Sequence, residues 1–263
     1  MAIENKKKIL ITGLSGAVGQ AIMPSLKKKY DISSLSRKGL KIDGIKNNIG
    51  NINSINSINK SFKNIHTVIH LAANGGVHSQ NGMEASWEEI LESNIVGTYN
   101  VFQSSIKNGV KRIIFASSGS TIMGYEDQSP YSDLINGKIS NNESIPLITK
   151  KSEPNPKSFY SVSKLFGEDL ARMYTSLFNI SIICIRIGGC SKDGKPSKGR
   201  GNSIFVSHND LSQLVIKSIE APKNLKFDLF FGVSNNKNNY RDWKHAYNQI
   251  GYKPEDSAEK FTS

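Results

Sequence analysis

The stretch from Lys8 to Gly19 constrains the fold more than any other part of the chain. Lys8–Thr12 is a short apolar run that stops at Gly13, and a helical pattern follows from Ala17 to Lys29. Three glycines, Gly13, Gly16 and Gly19, fall in the turn and at the opening of that helix. One glycine lets the chain turn tightly and one lets backbone approach a pyrophosphate; the third permits close helix–sheet packing. The helix N-terminus adds free N–H donors and the positive end of its dipole. This context predicts that Gly13, Ser15, Gly16, Ala17, Val18 and Gly19 cradle the phosphates of a dinucleotide.

Strand and helix signals alternate through the rest of the chain. Strands are expected at residues 32–35, 67–71, 112–116 and 180–187 and near 227–231. Helices are expected at 87–107 and 158–178 and near 210–220 and 243–250. The Asn/Ile/Ser-rich residues 47–60 read as a loop and then a helix start. Such alternation argues for an α/β fold, a doubly wound parallel sheet covered on both faces, with a small C-terminal elaboration. No Gly/Ser or Pro linker divides the chain, so residues 1–263 are expected to form one domain. Residues 125–156 and 191–201 read as active-site insertions, within substrate-binding segments at about 119–158 and 188–263.

The charge balance, 34 Lys and Arg against 22 Asp and Glu, gives a net charge of +12. The lysines are scattered apart from residues 6–8 and 27–29, and no basic helix is interleaved with aromatics. The sequence therefore predicts no nucleic-acid partner, and the positive charge suits an anionic cofactor or small substrate. Two cysteines, Cys184 and Cys190, are too few for a disulfide scaffold or a four-ligand zinc site, and no metal site is expected. No stretch approaches the roughly 20 apolar residues of a membrane helix, and the polar start leads straight into a strand. A cytoplasmic protein without a membrane partner is the expectation.

Tyr160 and Lys164 form a YxxxK pair on one face of a helix. A tyrosine with its usual pKa near 10 is a poor base at neutral pH, and a neighbouring ammonium stabilises the phenolate. A hydroxyl to orient a substrate oxygen is expected where the strand at 112–116 ends. Ser118 is the first choice, ahead of Ser120 and Thr121. At the end of the second strand, Ser36-Arg37 stands where a carboxylate would hold a ribose 2′-hydroxyl. Arg37 can instead meet a 2′-phosphate, which leans the cofactor, an NAD(P), toward NADP.

With these motifs in place, the chain resembles the extended short-chain dehydrogenases/reductases, the NAD-dependent epimerase/dehydratase family, and looks most like the uronate dehydrogenases. The resemblance runs through TGxxGxxG (Thr12 to Gly19), HLAA (His70 to Ala73), NIVGTYNVF (Asn94 to Phe102), KRIIFASS (Lys111 to Ser118) and YSVSK (Tyr160 to Lys164). RIGGC, RGNSIFVSHNDL and FFGVSNN extend it toward the C-terminus. It implies oxidation of the anomeric carbon of a hexuronate or related sugar, with Ser118, Tyr160 and Lys164 catalytic. Asn51, Ile52, Leu71, Ala72, Ala73, Asn94 and Ile187 would join the cofactor contacts. His78, Ser79, Gly119, Ser120 and Gly189 would face the substrate, and Arg200 would grip its carboxylate. A homodimer through the helices at 87–107 and 158–178 is implied as well. Uronate dehydrogenases typically carry Asn-His after the catalytic serine, whereas Gly119-Ser120 stands here. The alternatives are a nucleotide-sugar 4-epimerase or reductase, which would want a longer uridine-binding region after Ile187, and a non-catalytic dinucleotide sensor. The intact Ser118, Tyr160 and Lys164 argue against the sensor.

Overall fold

The computed structural model describes residues 6–40, 42–75, 85–139 and 145–261. Seven strands form one all-parallel sheet: β1 (Lys8–Thr12), β2 (Asp31–Ser36), β3 (Lys46–Ile49), β4 (Thr67–His70), β5 (Arg112–Ser118), β6 (Ser181–Ile187) and β7 (Phe227–Gly232). Their order is β3-β2-β1-β4-β5-β6-β7, the doubly wound arrangement expected. The order reverses between β1 and β4, and in open α/β sheets the ligand crevice lies beyond the carboxyl ends of the strands at such a switch point.

The helices are α1 (Ala17–Lys29), α2 (Ile55–Ile58), α3 (Trp87–Ile90), α4 (Gly97–Lys107), α5 (Tyr131–Ile135), α6 (Phe159–Leu177), α7 (Arg200–Ile204), α8 (His208–Ile219) and α9 (Lys244–Ile250). Alternation along the strands splits the core into two layers. Ile9, Ile11, Ile69, Ile114, Ile183 and Ile185 face α1 and α8, meeting Ile22, Leu26, Leu211 and Leu214. Leu10, Val68, Ile113, Phe115, Ile182 and Cys184 face α4 and α6, meeting Val101, Phe102, Ala171 and Tyr174. Burial on both faces explains why β4 to β6 read as unbroken apolar runs.

Two elements differ from the sequence reading. The start of the 47–60 stretch expected as loop instead belongs to the edge strand β3, Lys46–Ile49, beside β2. Its residues are polar or exposed, so no apolar alternation marked it. Asn48 Nδ2 donates to the Ser34 carbonyl at 3.0 Å, and Ser34 Oγ donates to the Asn47 side chain. The helix expected at 87–107 is interrupted: α3 runs into a π-helical turn, Leu91–Val96, before α4 resumes the regular winding. No helix among the described residues is long and apolar enough to cross a membrane.

Candidate active site

The three glycines of the first turn are needed for different reasons. Gly13 adopts φ +74°, and a Cβ there would sit 2.6 Å from the Ala72 amide nitrogen, so the β1 turn lies against the exit of β4. A Cβ on Gly19 would come within 2.4 Å of the Leu14 carbonyl oxygen, so only glycine lets the helix start so close to the turn. Gly16 is different: the nearest atom to its Cβ would be the Gly13 carbonyl at 3.4 Å. The protein leaves room over Gly16, the N-cap of α1, with Ser15 exposed beside it and no acidic residue in the first helical turn. Ala17 and Val18 open that helix. The arrangement fits a pyrophosphate, with backbone amides and the dipole end directed at it.

At the strand exits, the Ala72 amide donates to Thr12 Oγ1 at 3.1 Å, fixing Leu71, Ala72 and Ala73 beside the turn. His70, at the end of β4, is buried between Thr12 Oγ1 (2.7 Å from Nδ1) and Thr98 Oγ1 (3.2 Å from Nε2). Burial, aided by the nearby Lys164 charge, pushes its pKa down to about 3. Arg37 is exposed just beyond β2 and has no hydrogen bond or ion pair among the described residues; Ser36 Oγ donates to the Lys38 carbonyl. Asn51 is exposed after β3, and its side chain accepts from the Asn53 amide at 3.2 Å. Ile52 packs on Gly97, where a Cβ would meet it at 2.6 Å.

Ser118 and Tyr160 meet across the end of the sheet. Ser118 ends β5; its hydroxyl accepts from Ser120 Oγ at 2.9 Å and from the Ser120 amide at 3.1 Å. It also lies near enough to the Tyr160 hydroxyl to favour the phenolate. Thr121 is fully buried, and its hydroxyl donates to the Ser118 carbonyl, so its role is in the turn. Ser158 caps α6, accepting from the Ser161 amide at 3.2 Å, and so starts the helix two residues before Tyr160. One turn later Lys164 is buried, with Nζ donating to the Ala116 carbonyl at 2.9 Å and lying 5.3 Å from the centres of the Tyr160 and Phe115 rings. Burial lowers the Lys164 pKa to about 8. Burial also raises the Tyr160 pKa above 10.0, against a smaller downward pull from Ser118. The sequence reading expected the ammonium to dominate; desolvation of the phenol is the larger effect.

Gly167, Glu168 and Arg186 hold this group and carried no signal as site residues, whereas Asn94 was expected among the cofactor contacts. A Cβ on Gly167 would stand 2.2 Å from the Phe115 ring, so α6 seats on β5 only because residue 167 lacks one. Below it, Arg186 of β6 forms a bidentate pair with Glu168 at 2.9 and 2.8 Å, and Ser117 donates to the same carboxylate. Asn94 lies buried in the π-helical turn. Its side chain accepts from the Asn74 amide (2.7 Å) and donates to the Asn74 carbonyl (3.0 Å) and to Ser163 Oγ (2.9 Å). Ser163 in turn donates to the Tyr160 carbonyl at 2.7 Å. Asn94 thus ties the β4 exit loop to the helix that carries Tyr160.

On the substrate side, a Cβ on Gly119 would lie 3.4 Å from the Ile187 carbonyl and 3.5 Å from Arg241 Nε. Gly189 lines a cavity of about 330 Å³ with Cys190, Ser191, Lys195 and Gly201. Burial pushes the Cys190 thiol up to about 11, which suits a packing residue. Arg200, at the start of α7, is paired with Glu126. Glu126, Tyr240 and Arg241 were not anticipated from sequence, because the partners lie more than 70 residues apart. Arg241 is buried, and its Nε and Nη1 have no hydrogen-bond partner among the described residues. His78 and Ser79 lie outside the described residues.

Comparison with known proteins agrees with this geometry. The chain is 29% identical to an NAD-dependent glucose-6-phosphate dehydrogenase of Haloferax volcanii, over 97% of this chain and 95% of that protein. It is 30% identical to a uronate dehydrogenase of Pseudomonas putida, over 97% and 86% respectively. Among solved structures, a mutant uronate dehydrogenase of Agrobacterium tumefaciens complexed with NAD superposes with a TM-score of 0.80 at 28% identity, covering 97% of this chain and 87% of that one. Residues 9–248 match the NAD dependent epimerase/dehydratase family, so the strand order, the glycine turn and the Tyr160–Lys164 helix belong to a common scaffold, and the chain is a member of that family.

Proposed function

We propose that this protein is an NAD(P)-dependent dehydrogenase that oxidises the anomeric carbon of a sugar or sugar acid. The observation that carries the reading is the Ser118–Tyr160 hydroxyl pair, with Lys164 buried beside it, at the crevice end of the sheet that also bears the glycine turn. Gly13 to Gly19 would hold the pyrophosphate, with Ser36, Arg37, Asn51 and Ile52 toward the adenosine and Leu71, Ala72, Ala73 and Ile187 toward the nicotinamide. Asn94 serves as a positioning residue for that wall. When bound, the dinucleotide supplies the hydride acceptor.

The chain's own residues do the rest. Ser118 holds the anomeric oxygen, and Tyr160 Oη takes its proton as the carbon loses hydride and the C=O bond of a lactone forms. Lys164 keeps positive charge beside the ring, which favours the phenolate that this transfer needs. Exposed Arg37 supports NADP over NAD. Residues 1–263 act as one domain, with 119–158 and 188–263 shaping the sugar site. Two free thiols, Cys184 and Cys190, fit a cytoplasmic setting.

The helices offer a surface for a homodimer. Trp87, Tyr99, Phe159, Met173 and Leu177 are large apolar residues left exposed along α3, α4 and α6, and the Trp87 and Phe159 rings stand 5.5 Å apart. Sedimentation of the purified chain checks this. The chemistry is tested by absorbance at 340 nm with a panel of aldoses and hexuronates and each cofactor. Tyr160→Phe should keep cofactor affinity and lose about 10²–10⁴-fold in turnover. Net accumulation of reduced cofactor separates a dehydrogenase from an epimerase; its absence with every sugar overturns the reading.

A further inference from the structure

A carboxylate of the protein already takes one edge of the Arg200 guanidinium. Glu126 lies at the end of the 3₁₀ segment Gly119–Asp127, which starts directly after Ser118. Its two oxygens take Arg200 edge-on, Nη2 to Oε1 at 2.9 Å and Nε to Oε2. These are the two parallel N–H bonds by which a guanidinium reads a planar anion. Glu126 is also fixed from behind: Oε1 accepts from the Tyr240 hydroxyl and from Arg241 Nη2 at 3.3 Å. Arg241, Tyr240 and Glu126 are all buried, while the Arg200 side chain keeps 37% of its surface exposed. Arg241 in turn packs against Gly119, next to Ser118, so the cluster adjoins the reacting end of the site.

We propose, resting on the dehydrogenase reading above, that Glu126 is a specificity-determining residue: it occupies the Nε–Nη2 edge of Arg200 in place of a substrate carboxylate and tilts the site toward a neutral aldose over the matching hexuronate. A hexuronate that takes the Nε–Nη2 edge of Arg200 must break both bonds to Glu126, and one that takes the remaining Nη end meets a guanidinium whose charge Glu126 already offsets. Two carboxylates would then compete for one guanidinium in a partly closed site, and the displaced one stays buried on Tyr240 and Arg241. Burial alone would push the Glu126 carboxyl up, yet Arg200, Arg241 and Tyr240 outweigh it and hold the group ionised, so protonation does not relieve the conflict at neutral pH. A neutral hexose leaves the pair intact and meets only its exposed edge.

The test compares glucose with glucuronate on the full-length protein. Wild type, Glu126→Gln, Glu126→Ala and the Glu126→Ala/Arg200→Ala double variant are assayed for kcat/KM, and equilibrium sugar binding is followed by calorimetry. Wild type should favour glucose. Glu126→Ala should move the glucuronate-to-glucose ratio up by about 10–100-fold, the worth of freed charge-assisted hydrogen bonds, and the double variant should lose that gain. Glu126→Gln, nearly isosteric, should shift the ratio in the same direction and keeps the question answerable if the alanine variant misfolds by circular dichroism. A wild type that prefers glucuronate, or a ratio unmoved in the folded variants, overturns the proposal. If no sugar supports cofactor reduction, the dehydrogenase reading fails separately. Glucuronate binding no tighter to the variants than to wild type then overturns the role of Glu126 as well.

Discussion

Phe115 and Gly167 share one space: the ring occupies the volume that a β-carbon at residue 167 would take, 2.2 Å from its nearest ring atom. The contact sets the distance between β5, which ends in Ser118, and α6, which carries Tyr160 and Lys164. Gly167→Ala must therefore push the helix outward. Overpacking of this kind costs about 1–3 kcal/mol, and a misplaced catalytic pair costs turnover besides. The variant is expected to melt at lower temperature and to lose activity beyond its unfolded fraction. Adding Phe115→Leu should restore part of both. Wild-type activity in Gly167→Ala alone would sever the link.

His70 makes the fold sensitive to acid. Its pKa is about 3 in the folded protein against 6.5 when exposed, so below pH 6.5 the unfolded chain binds a proton that the folded one refuses. Stability from this residue is full above pH 6.5 and is lost as pH falls toward 3, at roughly 1.4 kcal/mol per pH unit. Between pH 7 and pH 5 that amounts to about 2 kcal/mol. Urea unfolding of wild type and His70→Gln at the two pH values reads the difference. Parallel pH dependences would show that His70 does not carry it.

The glycines of the first turn should separate binding from folding. A Cβ on Gly16 meets nothing closer than 3.4 Å, so Gly16→Ala should melt near wild type yet bind dinucleotide about tenfold or more weakly. Gly19→Ala drives a Cβ to 2.4 Å from the Leu14 carbonyl and should destabilise by about 1–3 kcal/mol even without cofactor. Thermal melts and fluorescence titrations on both variants decide it. Equal melting points for the two would refute the division of labour.

Arg37 tests the lean toward NADP. Because the side chain has no partner among the described residues, changing it should leave the fold alone. Arg37→Asp is expected to weaken NADP about tenfold or more and to invert the order of the two cofactors. Equal wild-type affinities for NAD and NADP would reduce Arg37 to surface charge.

Legibility followed the physics of each signal. The central strands and α1 were readable because apolar runs and a glycine turn are local in sequence, and residues 17–29 came out to the residue. The placement of Ser118 at the end of β5, and of Tyr160 and Lys164 one turn apart on α6, was readable because strand ends and helix spacing are local in sequence. β3 was hidden by its polar composition: side chains on Asn47 and Asn48, rather than apolar alternation, tie it to Ser34. Arg200 stood out in the sequence, but its pairing with Glu126 did not. Glu126 meets Arg200 across 74 residues and Tyr240 across 114, and such pairing leaves no periodic trace.

The π-helical turn at Leu91–Val96 also governs what the outside of the helix presents. Trp87, Leu91, Val96 and Tyr99 are the exposed apolar side chains along α3 and α4, and their spacing is four, then five, then three. On a regular α-helix a step of five swings the third residue well off the line of the first two. In a π-turn, where hydrogen bonds close over five residues, that step returns to nearly the same side. The extra residue that aims Asn94 inward therefore also keeps the outer apolar residues in register. Deleting any one residue from this turn would unwind both arrangements at once, so the length of this helix is fixed from inside and outside alike.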